Sequence, residues 1–142
     1  MEIHELVVGP LKTNCYIVTS DMNHAVIIDP GFDAEKIIAK IRELGAKPKF
    51  ILLTHGHFDH IFGVYGLQSE KGAKVVIHSR DAEHLIDPKK SLAEGNFPEI
   101  QYPVNADVLV KDGDILKLGN EEIKVMHTPG HTMGSVCYMC EN

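Results

Sequence analysis

The amino-acid sequence predicts a single α+β domain, and three observations lead to that prediction. Segments rich in β-forming residues dominate the first 28 positions, helical periodicity follows at 34–44, and further strand-like segments occupy the last third of the chain. The length of 142 residues suits one domain. With 44% apolar and 24% charged residues, the chain has the composition of a globular protein.

The N-terminal segments are predicted to form an antiparallel meander of three strands at 2–8, 13–19 and 25–28. A Gly9-Pro10 turn joins the first two strands. The third strand is apolar throughout, which favours a central place in the sheet.

A helix is predicted at 34–44, where apolar residues recur at helical spacing. Asp33 is a suitable N-cap and Gly45 ends the helix. A buried strand is expected at 49–53, and a second helix at about 61–70.

The second half of the chain is expected to contain one more strand before a long loop and a run of strands after it. A short helix begins near Ser79, which is a plausible N-cap. The loop has no clear periodicity and contains three of the seven prolines. The strands are expected at 74–78, 107–110, 115–118, 121–127 and 136–139, with the loop at 87–105.

Residues 54–60, Thr-His-Gly-His-Phe-Asp-His, form the most distinctive stretch of the sequence. In an extended segment alternate side chains face the same side, so His55 and His57 can converge on one point. Asp59 and His60 lie past the bend and can face a second point nearby. Imidazole and carboxylate groups suit zinc, iron or manganese. The pattern therefore favours a metal site over a polar turn whose histidines face solvent.

A second loop, at 128–135, carries His131 after another predicted strand. If the strands preceding His55 and His131 lie in one sheet, His131 can reach the point where His55 and His57 converge. Three histidines on one metal leave an open fourth position, which is the catalytic arrangement. Asp29 has two interpretations: a partner that orients a ligand imidazole, or a carboxylate in a strand-end turn. The remaining histidines are interpreted as structural or surface residues, namely His4, His24, His78, His84 and His127.

Composition limits the expected partners and compartment. The net charge of −6 argues against nucleic acid held on a basic face. No segment approaches the roughly 18 apolar residues of a membrane span, so no membrane partner is expected.

Three cysteines do not make a disulfide framework, and Cys137 and Cys140 would point to opposite faces of a strand. The N-terminus lacks a signal-like segment, and a cytoplasmic location is expected.

Two motifs and the strand that precedes them resemble those of a known family. His55-Gly-His57-Phe-Asp59-His60 resembles the His-x-His-x-Asp-His signature of the metallo-β-lactamase fold hydrolases, and the stretch at 128–135 resembles their second signature. Val26-Ile-Ile-Asp29-Pro-Gly31 resembles the strand-plus-Asp that precedes both signatures. The order and spacing suit the small glyoxalase II-like hydrolases better than the true β-lactamases.

The resemblance implies an αββα sandwich, in which two stacked β-sheets lie between helical layers around a binuclear metal site. This chain would supply the first sheet with its helices and the start of the second sheet. The first metal would be held by His55, His57 and His131, and the second by Asp59 and His60, with Asp59 also the catalytic candidate. Asp29 would orient a ligand. One or two zinc ions per chain are the expected cofactor, with iron and manganese as alternatives.

The resemblance extends over 1–142 and corresponds to the N-terminal two-thirds of such a domain. The family uses a later bridging Asp and a still later His, and those ligands and the second-half strands and helices are absent from this sequence. The chain is then a fragment, a truncated gene product or one component completed by another chain, and the sequence leaves these alternatives open. A homo-oligomer or a completing chain is therefore an expected partner.

Three functions follow as hypotheses. The first is a metal-dependent, glyoxalase II-like hydrolase of a small thioester or other carboxylic ester, in which a metal-bound hydroxide attacks a carbonyl. The second is a mononuclear iron oxidoreductase similar to persulfide dioxygenases, which would use two histidines and a carboxylate. The third is a truncated, catalytically inactive metal-binding module.

Overall fold

The structure is a computed structural model of the chain, and it describes residues 1–71, 73–97 and 100–140. The elements in chain order are β1 (Glu2–Val8), β2 (Thr13–Thr19), β3 (His24–Ile28), α1 (Ala34–Glu43), β4 (Lys47–Leu52), α2 (Phe58–Ile61), α3 (Val64–Lys71), β5 (Lys74–His78), a 3₁₀ helix (Ser79–Leu85), β6 (Val108–Val110), β7 (Ile115–Leu118), β8 (Glu121–His127) and β9 (Val136–Cys140).

The strands form two sheets. The larger has the order β1-β2-β3-β4-β5-β6, and the smaller has the order β7-β8-β9. Strands β1 to β3 pair antiparallel, which confirms the predicted meander, whereas β3 to β6 pair parallel. The carboxyl ends of β3, β4 and β5 therefore meet at one edge of the large sheet, the usual place for a site in parallel sheets.

Apolar side chains lie on both faces of the large sheet. On one face Ile27 and Ile51 pack with Ile37 of α1. On the other face Val26 and Leu52 pack with Ile123 of the small sheet. Because both faces are covered, the C-terminal parts of β3 and β4, residues 26–28 and 50–52, are apolar without alternation. The predicted α+β fold is confirmed, with helices on one side of the large sheet and a second sheet on the other.

The single helix predicted at 61–70 is two helices in the structure. The first begins earlier, at Phe58, and the chain breaks near Gly63 before α3 begins. The N–H of Gly63 donates to the carbonyl oxygen of Pro30 at 2.8 Å, and a Cβ at Gly63 would lie 2.5 Å from that oxygen. The break therefore allows the helical segment to pack closely against the loop that follows β3.

Two predicted helix starts also differ in detail. Asp33 precedes α1 as predicted, but its carboxylate does not cap the helix and instead accepts the N–H of Gly9 at 3.0 Å. The residue before the 3₁₀ helix is His78 and not Ser79, and its Nδ1 accepts the N–H of Arg80 at 3.0 Å.

The predicted loop at 87–105 contains no helix or strand in the part of it that the structure describes. Phe97 packs against Phe58 and Phe62, with ring centroids 5.6 and 5.3 Å away. The carbonyl oxygen of Ser91 also accepts the N–H of Phe58 at 2.9 Å. These contacts tie the loop to α2. None of the helices in the described ranges is both long and apolar enough to cross a membrane.

Candidate metal centre

The predicted metal-binding side chains gather at the edge where β3 and β4 end. The two strands are parallel, with Ile28 aligned with Leu52. Asp29 follows β3 directly, and His55 lies three residues beyond the end of β4. The parallel pairing therefore places two chain segments that are distant in sequence side by side.

His55, His57 and His131 form the first group of candidate ligands. Each offers one ring nitrogen, and these three atoms lie within 4.8 Å of one another. Nδ1 of His57 is 3.0 Å from Nε2 of His131. The backbone of His57 is extended, with φ of −70° and ψ of 146°, which is the conformation that the alternation argument requires. The structure thus brings together the three histidines predicted to share one metal.

His131 reaches this group by a route that differs from the expected one. His131 was expected to reach the group if the strands that precede His55 and His131 lie in one sheet, but β4 and β8 lie in different sheets. Strand β9 makes the connection, because the N–H of Val136 donates to the carbonyl oxygen of Thr54 at 2.8 Å. The hydroxyl of Tyr138 also donates to the carbonyl oxygen of Leu53 at 2.8 Å. Burial raises the pKa of Tyr138, so this hydroxyl stays a donor.

The hydroxyl of Thr54 determines which nitrogen of His55 carries the proton. Oγ1 of Thr54 donates to Oδ2 of Asp29 at 2.5 Å and lies 3.0 Å from Nδ1 of His55. Because the hydroxyl has one hydrogen, which the carboxylate accepts, its oxygen accepts the Nδ1–H of His55. Nε2 of His55 then holds a lone pair, and it is buried without a hydrogen-bond partner among the described residues. An orphaned buried acceptor beside other imidazoles fits a bound cation.

The environment keeps the imidazoles of His55 and His57 neutral. Burial, with the nearby His60 adding to it, lowers the pKa of His55 to about 4. Burial and the proximity of His131 also lower the pKa of His57. Neutral imidazole is the form that coordinates a metal. These two imidazoles are therefore in the form that can coordinate a cation near pH 7.

His60 and Asp59 lie beside the first group on α2. Nδ1 of His60 is 3.0 Å from Oδ2 of Asp29, and its Nε2 is 3.4 Å from Oδ2 of Asp59. Burial would lower the pKa of His60, but the hydrogen bond to Asp29 and the charges of Asp29 and Asp59 raise it above the usual value. Asp29 thus contacts the imidazole of a candidate ligand, which agrees with the interpretation of Asp29 as a partner that orients a ligand. Asp29, His55 and His60 also form a second group whose ligand atoms lie within 4.8 Å of one another.

Close backbone packing holds these segments in place. A Cβ at Gly31 would lie 1.8 Å from the carbonyl oxygen of Asp59, so only glycine allows α2 to approach the loop after β3. A Cβ at Gly56 would lie 2.3 Å from Cβ of His84. His84 therefore packs against the stretch at 54–60, and its ring centroid lies 6.5 Å from that of His57. The sequence had led to its interpretation as a structural or surface residue.

Sequence reasoning gave no role to two residues that support the site, Thr54 and Asp81. Thr54 stands at the start of the histidine stretch, and Asp81 follows β5 at the same sheet edge. A polar residue soon after a parallel strand is the signal that could have identified both. His78 and His127 stack on each other with ring centroids 4.1 Å apart, and they belong to neither group of candidate ligands in the described structure. All three cysteines are free.

Comparison with known proteins places the site in a family. The profile of the Metallo-beta-lactamase superfamily matches residues 8–142. The hydroxyacylglutathione hydrolase GloC of Haemophilus influenzae is 31% identical over 140 residues, which are 98% of this chain and 66% of that protein. YqgX of Bacillus subtilis, described as a probable metallo-hydrolase, is 34% identical over 139 residues, which are 97% of this chain and 65% of that protein. The chain thus spans just under two thirds of the length of these curated relatives.

Solved structures agree with this relationship. The BLEG-1 B3 metallo-beta-lactamase has a TM-score of 0.91 and 35% identity, and the match covers 98% of this chain and 67% of that one. ETHE1 from Myxococcus xanthus has a TM-score of 0.76 and 26% identity, and the match covers 99% of this chain and 54% of that one. The predicted resemblance, including the one to glyoxalase II-like hydrolases, is confirmed. The chain belongs to the metallo-beta-lactamase superfamily.

Proposed function

We propose that this chain carries the metal-binding site of a hydrolase that cleaves a thioester or other carboxylic ester. The observation that carries the proposal is the neutral His55, whose buried Nε2 has no hydrogen-bond partner among the described residues. This imidazole lies in one group with His57 and His131. Such a set has no evident structural purpose without a cation, and it occurs here in a metallo-beta-lactamase superfamily chain.

The side chains have distinct proposed roles in holding metal. His55, His57 and His131 would bind the first ion, and three ligands leave a coordination position open. Asp59 and His60 would bind a second ion. Zinc is the proposed metal, with one or two ions per chain. With such an ion held by these residues, the site would gain Lewis-acid chemistry that polarises a carbonyl oxygen and makes a water more acidic.

Asp59 is the proposed catalytic residue of this chain. Its Oδ2 accepts the hydroxyl of Thr13 at 3.2 Å and lies 3.4 Å from Nε2 of His60. The side chain of Asp59 is 25% exposed, so a water or a substrate can reach its carboxylate. In this position Asp59 would orient the attacking water and accept its proton, while Asp29 keeps the imidazole of His60 in place.

The proposed substrate class rests on the relatives. The hydroxyacylglutathione hydrolase of Haemophilus influenzae supports a thioester, whereas the similar B3 metallo-beta-lactamase makes a β-lactam the natural comparison substrate.

The loop at 87–105 is proposed to border the entrance, because Ser91 and Phe97 contact the helix that carries Asp59. The three free thiols support the proposed cytoplasmic location.

A mononuclear iron oxidoreductase is the second candidate, and one observation favours it. Asp29, His55 and His60 form a set of two histidines and one carboxylate, which is the ligand type of non-haem iron oxygenases. However, the carboxylate of Asp29 already accepts the N–H and hydroxyl of Thr54 and contacts His60. These bonds favour an orienting role for Asp29 and therefore favour the hydrolase.

The test combines metal analysis with hydrolysis assays. The protein is purified without added metal, its metals are measured, and it is then loaded with zinc. We expect thiol release from a hydroxyacyl thioester of glutathione to exceed hydrolysis of a chromogenic β-lactam. His57→Ala should abolish the activity. His24→Ala, at the start of β3 and therefore at the opposite end of that strand from the site, should preserve it. Bound iron with oxygen consumption would instead support the oxidoreductase. A folded, metal-loaded chain with no turnover would show an inactive metal-binding module.

A further inference from the structure

Asp81 is a charged residue whose side chain is completely buried, and it belongs to neither group of candidate metal ligands in the described structure. It lies on the 3₁₀ helix that follows β5, at the sheet edge where the site is formed. A buried carboxylate is unfavourable unless hydrogen bonds compensate for its lost hydration. Its hydrogen-bond donors therefore indicate what the residue does.

Three donors reach Asp81, and they come from the two metal-binding loops, which are the loop at 54–57 with His55 and His57 and the loop at 128–135 with His131. The N–H of Gly56 donates to Oδ2 at 2.9 Å. The hydroxyl of Thr132 donates to Oδ2 at 2.7 Å, and the N–H of Gly134 donates to Oδ1 at 2.8 Å. One carboxylate thus joins a loop of the large sheet to a loop of the small sheet.

These donors lie next to all three histidines of the first group. Gly56 stands between His55 and His57, and Thr132 directly follows His131. Each of the three histidines is therefore one residue away from a group that Asp81 holds. A displacement of the carboxylate would change the separation between Nδ1 of His57 and Nε2 of His131, which is 3.0 Å.

The second loop is held together by internal hydrogen bonds and packs closely against Asp81. The N–H of Thr132 donates to Oγ of Ser135 at 3.0 Å, and the N–H of Thr128 donates to the carbonyl oxygen of Ser135 at 2.8 Å. A Cβ at Gly134 would lie 2.6 Å from Oδ1 of Asp81. The loop should therefore move as one piece relative to the first loop, and Asp81 is the contact that restrains this movement.

We propose that Asp81 is a positioning residue that sets the distance between the two metal-binding loops and thereby the metal affinity of the three histidines. This inference rests on the proposed assignment of His55, His57 and His131 as ligands. A carboxylate that only stabilised the fold would affect unfolding and leave metal affinity unchanged. Metal affinity is therefore the measurement that separates the two roles.

The first experiment compares Asp81→Asn with the wild-type chain, and Co²⁺ alone is the probe. Asparagine keeps the shape of the side chain but turns one acceptor oxygen into a donor, which faces donors from the loops. We expect Co²⁺ to bind about 10- to 100-fold more weakly in competition with a chelating dye, with a changed visible spectrum of the bound ion. Asp107→Asn is the matched control, because the carboxylate of Asp107 accepts the N–H of Val75 at 2.8 Å, at the start of β5. Its Co²⁺ affinity should equal that of the wild type.

Variants of the donors keep the test decisive if Asp81→Asn does not fold. Thr132→Val removes one hydrogen bond and should weaken Co²⁺ binding, whereas Thr132→Ser keeps the hydroxyl and should restore it. Gly134→Ala should also weaken binding, and its effect should not add to that of Asp81→Asn if both act through the same contact. Unchanged affinity in the folded variants would overturn the positioning role and leave the proposed hydrolase intact. Absence of Co²⁺ binding by the wild type would overturn the metal site and this role with it.

Discussion

Replacing Thr54 with valine should weaken metal binding through the protonation of His55. The hydroxyl of Thr54 donates to Asp29 and accepts the Nδ1–H of His55. Valine keeps the size of the side chain and removes both interactions. The proton of His55 is then free to move to Nε2, the buried nitrogen that has no hydrogen-bond partner in the described structure. A protonated Nε2 has no lone pair to offer a metal ion.

The magnitude follows from the bonds that remain. Asp29 still accepts the N–H of Thr54 at 2.8 Å and still contacts Nδ1 of His60 at 3.0 Å. The lost bond to the carboxylate should therefore lower the free energy of unfolding by about 1.5 kcal/mol, the lower end for a hydrogen bond to a charged group. Loss of a partner that orients a ligand should weaken metal binding by about 10- to 100-fold.

The assay measures both quantities on the same protein. Urea unfolding of the metal-free chain reports stability, and competition with a chelating dye reports Zn²⁺ or Co²⁺ affinity. Thr54→Ser is the matched control, because it keeps the hydroxyl and should bind metal as the wild type does. Equal metal affinity in Thr54→Val and the wild type would refute the tautomer argument, whatever happens to stability.

Three further predictions concern other parts of the molecule. His57→Ala should lose most of the first metal by elemental analysis while His24→Ala keeps it, and unchanged metal content in His57→Ala would remove His57 from the ligand set. Burial above all raises the pKa of Cys15 to about 12, so at about pH 8 a thiol reagent should modify the exposed Cys137 and leave Cys15 unmodified. The rate of modification of Cys15 should rise with pH, and rapid labelling of Cys15 at pH 8 would contradict its burial. Phe97→Ala should lower the free energy of unfolding by about 3 kcal/mol and change KM, and an unaltered KM would make the 87–105 loop a passive connection.

Local patterns were sufficient to predict most elements and the convergence of two candidate ligands, His55 and His57. Strand positions followed from β-forming residues, and the antiparallel meander was found as expected. His55 and His57 lie together because the chain stays extended after β4, and such alternation is a property of the local backbone. Helix ends were less predictable, because the break near Gly63 depends on contact with Pro30, which is far away in the sequence.

The position of His131 depends on strand pairing, which the sequence motifs do not reveal. A shared sheet was the condition under which His131 could reach His55 and His57, yet β4 and β8 lie in separate sheets. Sheet membership depends on which strands pair, and the residues of a strand do not specify its partner. The loops meet because β9 contacts the end of β4 through Val136 and Tyr138, and neither residue carries a motif.

The supporting residues were missed for a related reason. Asp81 is one of 20 acidic residues, and its role depends on donors 25 and 53 positions away. No local pattern distinguishes it from a solvated carboxylate. The parallel order of β3, β4 and β5 does distinguish it, because Asp29, His55 and Asp81 each follow one of these strands by one to three residues. Once the strands are known to be parallel, their carboxyl ends must share an edge. Polar residues just after such strands are then candidates for a common site, including those that bind no ligand themselves.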